Sequence, residues 1–132
     1  MVLVDVGGLP LGVRLESASP AEVTLAQSTL AEVTVPRRKG RPRQKPKRVI
    51  GDRAYDSDLL KERLKKRGID LIVPYRENNK KQKHEDGRKL RRYKRRWILE
   101  RTNAWLGQFR RLLVRHEHLL LTDRAFFYLA CL

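Results

Sequence analysis

Residues 49–73 read VIGDRAYDSDLLKERLKKRGIDLIV, and their order of apolar run, acid, breaker and second apolar run sets the class of architecture. Val49-Ile50-Gly51-Asp52 is a short strand ending in a carboxylate, and Leu71-Ile72-Val73 is the next strand. Between them, Ser57 to Arg67 reads as a helix that Gly68 stops. Asp56, which with Ser57 precedes the apolar run of that helix, is its expected N-cap. Strand, helix, strand in this order predicts an α/β layer with helices packed on a mixed sheet.

Working towards the N-terminus, Val2-Leu3-Val4, the Gly7-Gly8 turn signal and Leu9 to Leu15 predict a β-hairpin with Asp5 near its bend. Ser19, Pro20 and Glu22 form a helix start of N-cap, first-turn proline and capping box, and that helix should run to about Val33. Residues 36–48 hold eight Lys or Arg, three Pro and no carboxylate, so they cannot bury a core and read as an extended, exposed linker. Within it, Lys39-Gly40-Arg41-Pro42 resembles the AT-hook cores that enter a narrow minor groove; the plainer alternative is a solvated loop. Towards the C-terminus, residues 76–92 are polar and basic and read as a loop. A long helix from about Tyr93 to Arg115 and a final one from about Thr122 to Leu129 follow. A length of 132 residues suits one domain spanning 1–132.

The 31 Lys and Arg against 15 Asp and Glu give a formal charge of +16, which calls for a polyanionic partner. Nucleic acid fits better than a membrane, because no segment approaches the roughly 20 apolar residues of a bilayer span and none pairs a basic face with a wide apolar one. No apolar leader follows Met1, and the single Cys131 can form neither an internal disulfide nor a cysteine metal site, which implies a reduced cytoplasm. His84, His116 and His118 lack metal spacing and read as surface residues. Trp97 is either a shoulder of the core or a platform for a displaced base. The run Lys80 to Arg96 is either a solvated face or a phosphate-contacting one.

A continuous helix over 93–113 puts Ile98, Trp105, Phe109 and Leu112 on one apolar stripe facing the sheet. Tyr93, Arg96, Glu100, Gly107 and Arg111 then gather within roughly 60° on the other side. Taken alone, Glu100 is a surface carboxylate in salt bridges, and Asp52 a turn or helix-capping aspartate before Ala54. Context adds a second possibility, since Asp52 ends a strand, where α/β sheets gather ligand groups.

These residues carry a resemblance. Val49 to Ser57, Gly68-Ile69, Val73-Pro74-Tyr75-Arg76 and Tyr93 to Arg111 are similar to the second half of insertion-sequence DDE transposases with a ribonuclease H-like catalytic domain. The last acid of that family lies in a signature of Tyr, two residues, Arg, three residues, Glu, six residues, Lys. Tyr93, Arg96 and Glu100 match its first three members, and Gly107 stands where the Lys would be. The likeness extends through Trp105-Leu106, Phe109 to Leu112 and Phe126-Phe127, and back through the Asp5 hairpin and Arg41-Pro42-Arg43.

The resemblance implies a mixed-sheet ribonuclease H-like fold, N-terminally truncated so that its first strand and first catalytic Asp are missing, with long C-terminal helices. Asp5 matches a hairpin position and not that Asp. Asp52 and Glu100 would be the second and third acids, catalytic and metal-binding, with Mg2+ or Mn2+ as cofactor. Tyr93, Arg96, Arg110, Arg111, Arg41, Arg43, Lys45 and Arg76 would contact DNA. The implied activity is metal-dependent phosphodiester cleavage and strand transfer at element ends in a bacterial, nucleoid-associated setting. The implied partners are DNA and either a second copy, an intact transposase or a separate upstream half. With two acids of three, metal binding should be weak and cleavage by this chain alone small, so an inactive DNA- or RNA-binding remnant or regulator is the alternative. A ribosome-associated basic protein is a third possibility, and it predicts RNA preference.

Overall fold

The computed structural model describes residues 1–16, 22–75 and 87–132. Ser19, Pro20, Lys80 and His84 lie outside them, so the expected capping box and the first part of the basic run do too.

The hairpin forms as its turn residues dictate. Strands β1 (Val2–Val4) and β2 (Pro10–Val13) pair antiparallel, with Val2 opposite Val13 and Leu3 opposite Gly12. Asp5 Oδ1 accepts from the backbone N–H groups of Gly7 and Leu9 at 2.8 and 2.9 Å, an Asx-type closure of the bend. Because side chains alternate along a strand, the ribbon serves two cores. Leu3 packs with Ala26, Leu30, Leu60, Leu64 and Ile69, whereas Val2 and Val13 pack with Leu106, Phe127 and Ala130.

Helix α1 spans Glu22–Glu32 and supplies Ala26 and Leu30 to the first cluster. Beyond it, Val35 and Arg43 form an isolated antiparallel bridge, so the basic linker is exposed as expected but folded back on itself in its first half rather than extended. Strands β3 (Arg48–Ile50) and β4 (Asp70–Ile72) run parallel, register Val49 to Leu71, and are joined through a 3-10 turn at Arg53–Tyr55 and helix α2 (Asp58–Lys66). A crossover helix is what parallel neighbours require.

Helix α2 shows how local chemistry sets boundaries. Its N-cap is Ser57, whose Oγ accepts from the Leu60 N–H at 3.4 Å, and not Asp56. The Asp56 carboxylate is buried and ion-paired with Lys61, which removes it from capping. At the other end Ile69 N–H donates to the Leu64 carbonyl and Gly68 N–H to that of Lys65, with Gly68 at φ +72°. This is a Schellman closure, and its usual apolar contact is present, since Leu64 and Ile69 share the first core cluster.

The mixed helix and strand content agrees with the expected α/β class. Among the described residues, however, the strands form two separate two-stranded sheets, one antiparallel and one parallel, rather than one mixed sheet. Side chains join them: Leu3 from the ribbon and Val49 and Leu71 from the parallel pair all pack against the first cluster.

The expected single helix over 93–115 is divided. Helix α3 (Gly87–Tyr93) occupies the end of the segment read as a loop, a 3-10 turn covers Lys94–Arg96, and α4 runs Trp97–Leu106. Gly107 caps α4, Phe109 turns extended (φ −85°, ψ 104°), and α5 (Arg110–Leu113) starts anew before α6 (Leu120–Ala130). Glycine weakens helix propagation here. The extended Phe109 lets its ring meet Trp105 edge-on at 5.5 Å. The buried face also differs from the expected stripe: Thr102 and Leu106 are the buried residues of α4, while Trp105 and Phe109 remain 39% exposed.

Candidate active site

Asp52 follows β3 directly. Its Oδ1 accepts from the Ala54 N–H at 2.8 Å and caps the 3-10 turn, so the local role open to it from sequence is realised. The end of the turn is anchored by the ion pair of the buried Asp56 carboxylate with the half-buried Lys61, whose ammonium lies 4.7 Å from the centroid of Tyr75. Since β3 and β4 are parallel, Asp52 and the Val73-Pro74-Tyr75 segment leave the sheet at the same edge, where ligand groups of α/β folds collect.

Glu100 belongs to a second cluster, built across the junction of the 3-10 turn and α4. Arg96 Nη1 donates to the Tyr93 hydroxyl at 2.9 Å, while its Nε and Nη2 meet Glu100 Oε1 at 3.1 and 2.9 Å. Spacings of three and four residues place these side chains on one face. The Tyr93 hydroxyl and, after it, Glu100 raise the Arg96 pKa further above its ordinary range, so this guanidinium is charged at any physiological pH. The Glu100 side chain is 61% exposed, and such a pair contributes only a few tenths of a kcal/mol. Its consequence is therefore orientation. Both contacts fall on Oε1 and leave Oε2 outside the pair.

Arg111 does not join this trio. With the helix broken at Gly107, its Nη1 pairs with Glu117 Oε1 at 2.9 Å and its guanidinium covers Phe126 at 5.0 Å. It lines a groove with Arg110, Phe109, Leu112, Phe126 and Leu129. Asp52 likewise makes no hydrogen bond or ion pair with Tyr93, Arg96 or Glu100. Arg41 and Arg43 are exposed, and Lys45 Nζ donates to the Arg67 carbonyl at 3.0 Å. Arg76 lies outside the described residues. Trp97 is 53% exposed and so is no part of the core; Arg101 covers its ring at 4.9 Å. His116 and His118 are exposed as expected.

Two residues that sequence reasoning passed over tie α4 to the hairpin. Arg101 Nη2 donates to the Gly7 carbonyl at 2.7 Å, and Thr102 Oγ1 to the Gly8 carbonyl at 2.8 Å. Thr102 was detectable as the polar residue between Ile98 and Leu106 on one helical row. Gly8 has φ +92°, and a Cβ there would come within 2.9 Å of Arg101 Nη2 and 3.0 Å of Thr102 Oγ1. Gly8→Ala should therefore destabilise the fold by about 1–3 kcal/mol. Gly40→Ala, with φ +87° and open space around its Cβ, should carry only the conformational part. Equal losses in chemical denaturation for the two variants would show that hairpin docking on α4 is not the source.

The profile of the Transposase DDE domain family matches residues 1–132. The chain belongs to this family. It is also 35% identical over 131 residues to a Burkholderia cepacia protein described as a transposase for insertion sequence element IS402, covering 98% of this chain. The chain spans 58% of the length of that relative. No solved structure matches the chain.

Asp52 and Glu100 fit a hard divalent ion in donor chemistry, because each is a carboxylate with one oxygen outside its local hydrogen bonding. Mg2+ commonly takes one or two protein carboxylates and completes its shell with water and substrate phosphate. Among the described residues, no group of three or more His, Cys, Asp or Glu side chains is placed to hold a metal. Gly107, at the signature's Lys position, has helical φ and ψ, and a Cβ would meet the carbonyl oxygens of Asn103 and Ala104 at an ordinary 3.4 Å. Gly107→Lys in this DDE domain should be accepted and raise stability by roughly 0.5–1 kcal/mol, from helix propensity and a cation at a helix C-terminus. A melting temperature unchanged or lowered would contradict this.

Proposed function

We propose that the chain acts in DNA transposition through phosphoryl transfer at DNA ends, with Asp52 and Glu100 as its catalytic carboxylates on a ribonuclease H-like scaffold. The Tyr93–Arg96–Glu100 arrangement carries this proposal: an always-charged guanidinium holds one oxygen of the acid while the other stays clear of the pair. Bound Mg2+ or Mn2+, held by Asp52 and Glu100, would supply Lewis-acid activation at the phosphodiester. The chain's own groups do the positioning. Asp52 is aimed by its hydrogen bond to Ala54 and by the anchored turn beneath it. Arg96 and Tyr93 grip a phosphate beside Glu100, assisted by Arg110, Arg111, Arg41, Arg43, Lys45 and Arg76 along the strand. A second copy or another transposase polypeptide is the protein partner.

A second reading is favoured by the same donor count. With two carboxylates and no larger acidic group among the described residues, the chain would bind DNA without cutting it and regulate a complete transposase. A nicking and strand-transfer assay with Mg2+ or Mn2+ separates the two. Products that require the metal and vanish in Asp52→Asn and Glu100→Gln support the catalytic proposal. Identical product-free lanes for all three proteins overturn it in favour of the regulator.

A further inference from the structure

We infer that the basic loop closed by Val35 and Arg43 is a preformed minor-groove element that selects A/T-rich duplex. The inference rests on DNA being the partner and deepens the proposed role of Arg41 and Arg43, by naming the groove and the sequence class that their loop, a segment separate from Asp52 and Glu100, would select. Val35 and Arg43 exchange both backbone hydrogen bonds, each 2.9 Å, and so close residues 36–42 into a loop. One foot follows the buried Val33, and the other is tied to the end of α2 by the Lys45 bond to the Arg67 carbonyl. The loop is thus ordered before any partner arrives, and less conformational entropy is lost on binding.

Its charge is uncompensated. Arg37, Arg38, Lys39, Arg41 and Arg43 are all exposed. None of them pairs with a carboxylate among the described residues. Ion pairing is available in this fold, since Arg14, Lys61, Arg96, Arg111 and Arg124 each have an acidic partner, but the loop takes no part in it. Holding like charges together on a closed loop is unfavourable until a polyanion relieves it.

Shape then decides which part of DNA is met. Gly40 turns the apex at φ +87°, and nothing within the chain lies within 4 Å of where its Cβ would be, so the apex is bare backbone open to approach. Lys39 and Arg41 flank it, and Pro42 removes a backbone donor and stiffens the exit. Two long cations either side of a thin backbone suit a narrow groove better than a wide one. A/T tracts have the narrowest minor groove and the deepest negative potential, and Arg and Lys side chains insert there.

The test is anisotropy binding of the full chain to short A/T-tract and G/C duplexes across a salt series, with a minor-groove-binding polyamide as competitor. A/T duplex should bind tighter by about tenfold, of the order of one base-level discrimination, and the polyamide should displace the chain. Lys39→Ala with Arg41→Ala should abolish that preference and lower the salt slope by about 1.8, from roughly 0.9 per cation removed. Equal affinity for the two duplexes, a preference that survives in the double variant, or tighter binding to duplex RNA, whose minor groove is wide and shallow, would each overturn the inference. The active-site proposal fails separately: Asp52→Asn should keep the A/T preference, and that preference in a wild-type chain that does not nick would leave the loop inference standing while overturning the catalytic one.

Discussion

Glu100→Gln and Asp52→Asn are each expected to lower metal-dependent nicking by a factor on the order of 10³ or more, because Lewis-acid stabilisation of the phosphoryl transition state amounts to several kcal/mol. The amide replacements are chosen for what they preserve. Asp52→Asn keeps a side-chain oxygen to accept from the Ala54 N–H, so the cap at 2.8 Å survives. Glu100→Gln still offers Arg96 an acceptor, and the exposed ion pair it loses contributes little to stability. Fold and DNA affinity should therefore stay near wild type while ion binding falls, measurable directly by Mn2+ titration. The two losses should be strongly non-additive if both acids serve one ion site. Full additivity in the titration, or wild-type nicking by either variant, would refute a shared site.

Leu64→Ala is expected to be the most damaging single core change, at about 2–5 kcal/mol. Leu64 is 1% exposed and sits where α1, α2 and the parallel strands converge. It is also the residue whose carbonyl accepts from Ile69 and whose side chain provides the apolar contact of that closure. Truncation leaves a cavity and loosens the link between α2 and β4. For a fold of ordinary total stability, about 5–15 kcal/mol, this is a large fraction. The urea midpoint should fall with an unchanged slope. Leu59→Ala, on the same helix but 57% exposed, should change stability by less than about 0.5 kcal/mol. Similar shifts for the two variants would mean that α2 is not packed through Leu64.

What could be read from residue order alone is what short-range chemistry governs. The Asp5 bend, the Gly68 stop and the Arg96–Glu100 pair each depend on groups within about five positions, so spacing already determines which atoms meet. The family signature was legible for the same reason, since its Tyr, Arg and Glu lie on one helical face. The tertiary structure decided everything that depends on which surface loses water. It buried Thr102 and Leu106 rather than Trp105 and Phe109, with α4 docked on the hairpin through Arg101 and Thr102, which donate to the Gly7 and Gly8 carbonyls 94 positions earlier in sequence. It gave Asp56 to Lys61 instead of a helix cap, and Arg111 to Glu117 once Gly107 interrupted the helix. Helical wheels assume an unbroken axis and propensities assume local competition; neither registers a partner brought from the far end of the chain by packing.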